Sequence, residues 1–351
     1  MNKEIQILDK VVNQNSLFVI AEAGNQFNGN KQTALDLVDA SADAGADAVK
    51  FIFWFPDEIL ADKELLYTYE TVSGLKTEPM YDLLDRIRLS MTDWQDVMLR
   101  CSKRNILMMA TINSPSGVDF AMCDGLDLPA IKLSTWDWNF MDLWKWVANS
   151  GKPTFVDTGA VTVQEIQRNI RYFRKARNSN LVLLHCFHTK DPMQMNMNSI
   201  PYLRDTCNCL VGYSATDYHD DLDVMALGLG ACVLEKRITI SRQGGVLHDS
   251  LSKEPGEFKE YVKRMRELKS SMGRYDVIPS DVDLSERKKW FRRIVADEDI
   301  KAGDEILRPM LEAKRGETGL DPAVMDDLLG KVALRDIKRN ETIKIEDVCQ
   351  Q

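Results

Sequence analysis

The stretch FVIAEAGNQFNGN, residues 18–30, starts as an apolar run, carries the lone carboxylate Glu22, and breaks into glycine and carboxamides. A buried strand that stops abruptly in polar groups often stops at a site, so its meaning depends on how the other strands end. Seven more apolar runs follow, at 46–54, 106–112, 129–135, 154–158, 181–186, 209–214 and 231–239. They are rich in Val, Ile, Leu and Phe and do not alternate with polar residues, which fits parallel strands covered on both faces. Amphipathic segments stand between them, at 31–44, 91–104, 116–124, 140–150, 163–176 and 221–227, and Gly45 and Gly151 sit where a helix would end. This alternation predicts an α/β protein built on a (β/α)8 TIM barrel. Eight runs, rather than five or six, favour the barrel over a doubly wound open sheet.

Residues 54–86 form a long excursion after the second run, the kind of segment that shapes a site at the C-terminal end of a barrel strand. A closing helix is expected at 257–272. GRYDVIPSDVDLSER, 273–287, is poor in apolar residues and reads as a linker. Beyond Lys289 the chain turns to short strands and tight turns, and VADEDIKAGDEIL (295–307) resembles ALRDIKRNETIKIEDV (333–348). The expected organisation is a barrel over 1–275, a linker over 276–289 and a small β-rich domain over 290–351.

The 351 residues carry a net charge of −9, which argues against general nucleic-acid binding, where lysines and arginines neutralise phosphates. The seven cysteines are scattered without CxxC pairs, as in a reduced cytoplasmic protein, and Cys207 and Cys209 read as unrelated thiols. No apolar run is long enough to span a bilayer and the N-terminus lacks a signal-type apolar region, so no membrane partner is expected.

Barrel active sites gather at the C-terminal strand ends. Those ends carry Glu22, Asn25 and Gln26; Lys50; Thr111 and Asn113; Lys132, Ser134, Thr135 and Asp137; Thr158; His185 and His188; Tyr213, Ser214, Thr216 and Asp217; and Glu235, Lys236 and Arg237. Lys50 and Lys132 are the sharpest signal, since a lysine inside a buried strand costs several kcal/mol unless it meets an anion. They are either structural ion pairs with Glu22 and Asp137 or the cations of a phosphate and carboxylate pocket completed by hydroxyls. Glu22 is either the partner of Lys50 or a general base. Trp54, Trp136 and Trp138 are either an acceptor pocket or core packing.

The motifs FVIAEAGNQFNGN (18–30), AGADAVKF (44–51), IKLSTWDWN (131–139), TFVDTGA (154–160), VGYS (211–214), GACVLEKRIT (230–239) and EPGEF (254–258) occur in the order found in the sialic acid synthase family. That family includes N-acetylneuraminate synthases and spore-coat polysaccharide proteins of the E type. KRGETG (314–319) and LLGKVALRDIK (328–338) resemble its C-terminal antifreeze-like SAF domain. The resemblance implies a domain-swapped homodimer and condensation of phosphoenolpyruvate with an aldose of the N-acetylmannosamine type. By position it implies a phosphoenolpyruvate pocket of Lys50, Thr111, Lys132, Thr135, Thr158 and Ser214. It also implies acids Glu22 and Asp137 near the reacting groups, and Arg315 reaching the sugar in the partner's site.

The departures from the family pattern bear on mechanism. The family holds a divalent metal, Mn or Mg, with two histidines, and Thr216 and Arg237 stand at those positions here. A guanidinium repels a divalent ion. Three readings follow: a synthase that uses Arg237 catalytically without that metal, or holds another ion through Asp217, His219 and His248; a lyase or aldolase using Lys50 or Lys132 as a Schiff-base amine; or a non-catalytic relative that keeps the anion pocket.

Overall fold

Eight parallel strands close on themselves, and each owes its place to the burial of both faces. The structure, a computed structural model, describes residues 3–71, 74–189, 191–215 and 218–349. In chain order an antiparallel hairpin, β1 (Glu4–Ile7) and β2 (Lys10–Asn13), precedes β3 (Phe18–Gly24), α1 (Lys31–Asp43), β4 (Ala48–Ile52) and the short α2 (Pro56–Ile59). A second antiparallel hairpin, β5 (Leu66–Thr71) and β6 (Gly74–Pro79), leads into α3 (Met80–Ile87) and α4 (Met91–Lys103). Then come β7 (Leu107–Thr111), α5 (Pro115–Met122), β8 (Ala130–Leu133), α6 (Met141–Asn149), β9 (Thr154–Asp157), α7 (Val163–Lys175), β10 (Leu181–His185), α8 (Ser199–Cys207), β11 (Leu210–Ser214), α9 (Asp221–Gly228), β12 (Val233–Arg237) and α10 (Pro255–Ser271). The order β3–β4–β7–β8–β9–β10–β11–β12 closes as β12 pairs with β3.

Local chemistry sets the helix limits. Asn30 caps α1 by accepting from the Thr33 amide, and capping boxes start α4 (Ser90 with Asp93) and α7 (Thr162 with Glu165). Gly45 and Gly151, at φ +80° and +71°, turn the chain out of α1 and α6 in the left-handed conformation that only glycine adopts without strain. The sequence reading lacked α8 and both hairpins. The first hairpin has a structural role. Its Ile5, Ile7 and Val12 pack with Phe18, Phe155 and other inward residues and plug the N-terminal end of the barrel. Phe18 and Phe155 stack across the interior at 5.7 Å.

The chain divides into two compact units, Met1–Gly273 and Arg274–Gln351. In the second, the segment expected as a linker carries α11 (Asp281–Trp290), started by a Ser280–Asp283 capping box and without a buried residue. β13 (Arg292–Ala296) pairs with β14 (Leu311–Arg315), and β15 (Val332–Ala333) with β16 (Val348–Cys349). The two similar sequence pieces meet here. Ile300 and Ile337 exchange both backbone hydrogen bonds at 2.9 Å, and Asp299–Lys338 and Lys301–Asp336 ion pairs flank them at 2.9 and 2.8 Å. The internal repeat is thus a local two-fold arrangement around a small core that includes Ile294, Ile306 and Ile343.

Candidate active site

Strand alternation decides which side chains enter the barrel. Phe18 and Ile20 on β3, Ala48 on β4, Leu107 and Met109 on β7, Ala130 on β8, Phe155 on β9 and Val233 on β12 form the inner apolar cluster. Two residues further along each strand stand Glu22, Lys50, Thr111, Lys132, Asp157 and Glu235. Lys50 is paired with Glu22 and lies 3.6 Å from Glu235, and its ammonium donates to Thr111 Oγ1 at 3.1 Å. Lys132 lies 2.9 Å from Asp157 and 2.7 Å from Glu235, and Ser214 donates to Glu235 at 3.2 Å. The top of the barrel interior is therefore one polar layer in which Glu235 bridges two ammonium groups.

The electrostatics follow from burial and these pairings. Burial pushes Glu22 up to about 7, against the pull of Lys50 and with help from Glu235. Burial also acts to raise Glu235, but Lys132 and Lys50 outweigh it and hold the carboxyl at about 2. Asp157 is raised by burial, which the Lys132 attraction does not cancel, and Glu235 adds to the rise. Lys132, whose burial favours the neutral amine, is held well above its usual range by Asp157 and Glu235.

Glu22, Lys50, Thr111, Lys132 and Ser214 gather in this layer, and the other expected residues do not. Lys50 does pair with Glu22, but Lys132 pairs with Asp157 and Glu235 and not with Asp137. Asp137 closes the 3-10 turn Thr135–Asp137 after β8, and burial pushes its carboxyl up to about 7. Thr158 stands one register position off the inward face, and its hydroxyl donates to the Leu184 carbonyl at 3.2 Å. Asp157 takes the inward place. The signal was available, because Asp157 lies two residues beyond the inward Phe155. The same rule places Cys186, two beyond the inward Leu184, within reach of Asp157, Lys132 and Ser214, and burial pushes its thiol up. His185 points outward, bonding the Met195 carbonyl at 2.7 Å and packing on Phe187.

Thr135 Oγ1 and Asn113 Oδ1 are buried without a hydrogen-bond partner. Gly159 leaves the room beside Thr135. A Cβ there would lie 2.1 Å from the Cys186 carbonyl and 3.1 Å from both Thr135 Oγ1 and His188 Nδ1. Burial, Arg237 and Lys132 lower the pKa of His188, and burial, Arg237 and His188 bring His248 down to about 3. Trp136 is 68% exposed with its ring 4.8 Å from His188, whereas Trp138 is core, donating to the Asp157 carbonyl and packed at a tilt against Trp144 at 4.5 Å. Trp54 donates to Asn25 Oδ1 at 2.7 Å.

Thr216 and Asp217 lie outside the described residues. His219 is exposed and gives its carbonyl to Lys236, and among the described residues no group of three or more His, Cys, Asp or Glu side chains is arranged to hold a metal. Arg237 bears on both His188 and His248 from the end of β12. The residues described here do not fit a divalent ion at the position the resemblance implies. In the second unit Arg315 ends β14 with its guanidinium 5.3 Å over the Trp290 ring.

The NeuB family model matches residues 37–276 and the SAF domain model matches residues 291–348. The N,N'-diacetyllegionaminic acid synthase of Campylobacter jejuni is 28% identical over 93% of this chain and 98% of its own length. The pseudaminic acid synthase of the same organism is 28% identical over 94% of this chain and 96% of its own. Among solved structures, the spore coat polysaccharide biosynthesis protein spsE of Bacillus subtilis superposes with a TM-score of 0.66 at 23% identity, covering 99% of each chain.

Proposed function

The chain belongs to the NeuB family and ends in a SAF domain, and on that premise we propose that it condenses phosphoenolpyruvate with an acylamido aldose of the N-acetylmannosamine type. The product is a nonulosonic acid for surface polysaccharide. The observation that carries the reading is the pair of buried ammonium groups, Lys50 and Lys132, joined through Glu235 at the C-terminal end of the barrel. Such a pair suits a small molecule bearing both a carboxylate and a phosphate.

In the reaction, C3 of the enol attacks the open-chain aldehyde carbon, water adds at C2, and phosphate leaves by C–O cleavage. The aldehyde oxygen gains negative charge and needs a donor or cation aimed at it. Arg237, standing where the resemblance implies a metal-holding imidazole, supplies the cation. Glu22, which keeps its proton to about pH 7, supplies the proton that makes the new hydroxyl. Thr111 and Thr135 direct hydroxyls at the anion, and Ser214 keeps its hydroxyl on Glu235.

An aldolase using Lys132 as a Schiff base is disfavoured. That chemistry needs the neutral amine, and two carboxylates hold this one as ammonium. The homodimer belongs to the same proposal. Tyr275, Val277, Ile278, Val282 and Phe291 are all exposed apolar side chains that a second copy would cover, with Arg315 brought to the partner's sugar. The free state of all seven cysteines accords with a cytoplasmic setting, and no described helix is long and apolar enough to cross a membrane.

The test is release of inorganic phosphate from phosphoenolpyruvate in the presence of candidate acylamido aldoses, with and without chelator. Aldose-dependent release that survives chelation supports the reading. Borohydride trapping of a pyruvate adduct on a lysine, or calorimetric binding with no turnover on any aldose, would replace it with the lyase or the non-catalytic reading.

A further inference from the structure

Lys132 is the most enclosed cation in the site, with its side chain 1% exposed, and its ammonium is already shared by Asp157 at 2.9 Å and Glu235 at 2.7 Å. We infer that Asp157 occupies the place on Lys132 that an anionic ligand group must take, so that the anion enters as Asp157 accepts a proton from solvent. Asp157 thereby sets the charge of the ligand the pocket admits. The inference rests on the phosphoenolpyruvate reading above and deepens it.

At about pH 8, above the point where Glu22 loses its proton, the layer sets three acids, Glu22, Asp157 and Glu235, against two ammoniums, Lys50 and Lys132. Two carboxylates on one ammonium already repel each other, and a further phosphate or carboxylate in the same enclosed space cannot be accommodated without removing negative charge. The question is which acid gives way. Glu235 bridges both lysines and accepts the Ser214 hydroxyl, and those contacts hold it ionised. Asp157 pairs with one lysine only, and burial and Glu235 both favour its neutral form.

The groups that face Asp157 are Lys132 from β8, Glu235 from β12, Lys50 from β4 and the Cys186 thiol beyond β10. His188, which burial, Arg237 and Lys132 all bear on, has a lowered pKa and adds no cation at neutral pH. Once protonated, Asp157 no longer competes for the ammonium and presents an O–H donor to the incoming oxygen. Glu22 is held by Lys50 and is not in contact with Lys132, so it does not clear the same place.

The experiment is calorimetric titration of phosphoenolpyruvate into the full chain at about pH 8, in Tris and in HEPES, whose ionisation enthalpies differ, to count protons exchanged. The natural chain should take up about one proton more per ligand than Asp157→Asn, and the variant should bind about tenfold more tightly or better, as one removed protonation step predicts. Asp157→Ser, which removes the carboxyl altogether, should report the same change and guards against a folding defect in the first variant. Equal proton counts in all three proteins, or weaker binding by both variants, would overturn the inference and leave the phosphoenolpyruvate reading standing. Absence of binding by all three would overturn both.

Discussion

Replacement of Lys132 by methionine tests the ion-pair layer most directly. The variant keeps the buried aliphatic stem but leaves Asp157 and Glu235 without their shared cation. Breaking one side of a buried pair costs about 3–5 kcal/mol, chiefly through the uncompensated charge left behind. The structure gives a second route to the magnitude. Lys132 and Lys50 hold Glu235 at about 2 against an ordinary 4.5, a depression worth on the order of 3 kcal/mol for a side chain only 6% exposed. Its sign is that of a lowered carboxyl: the stabilisation is fully present above pH 4.5 and is lost as pH falls through about 2. In the variant, burial is far less opposed and both acids favour protonation, so the deficit is greatest at neutral pH and narrows in acid. Urea unfolding followed by tryptophan fluorescence measures it, since only Trp290 of the seven tryptophans lies outside the barrel unit. A deficit below about 1 kcal/mol at pH 7, or one that does not shrink towards pH 4, would refute the claim that Lys132 is compensated by these two carboxylates. Where the variant remains folded, calorimetry should find phosphoenolpyruvate binding abolished.

Asp137→Asn should stabilise the barrel by roughly 2 kcal/mol at pH 8, discounted for partial exposure, because burial raises this carboxyl to about 7 from an ordinary 3.8. The sign is that of a raised acid: the cost starts near pH 3.8, grows to pH 7 and is flat above it, so thermal melts at pH 4 should show little difference. Arg237→His should not create a tight manganese site, and stoichiometric binding of manganese by that variant in electron paramagnetic resonance would contradict the misfit described above. Gly159→Ala places a methyl 2.1 Å from the Cys186 carbonyl and should cost about 1–3 kcal/mol in thermal or urea unfolding, with loss of phosphoenolpyruvate binding as Thr135 and His188 are displaced. An alanine variant as stable as the natural chain would show that the strand ends are not packed as described.

What the sequence made legible follows from how each signal is encoded. Apolar runs with no polar alternation mark doubly covered strands wherever they occur, so all eight barrel strands were readable within a few residues. The β1–β2 hairpin was not, because EIQI and KVVN are too short and too polar to stand out, and only the open end of a closed barrel gives them something to cover. Helix α8 was hidden for a related reason. SIPYLRDTC has a proline in its first turn and few apolar residues, and its burial against β10 and β11 outweighs its local preference.

The candidate site was legible in its cations and in Glu22, and not in the anions around Lys132. Lys50 and Lys132 announce themselves, since nothing but an anion justifies a lysine in a buried strand. The partner of Lys132 is ordinary in sequence: Asp157 and Thr158 are neighbours at a strand end, and either could be read as the polar residue that matters. The choice between them is geometric, because a period of two puts Asp157 on the face shared with Phe155 and turns Thr158 away from it. That single step changes the chemistry. A ring of lysines and hydroxyls would be an open receptor for anions, whereas a layer with three carboxylates for two ammoniums is already neutralised from within. Any anion that binds must therefore displace a carboxylate or protonate one, and affinity in this barrel becomes a property of its acids as much as of its lysines.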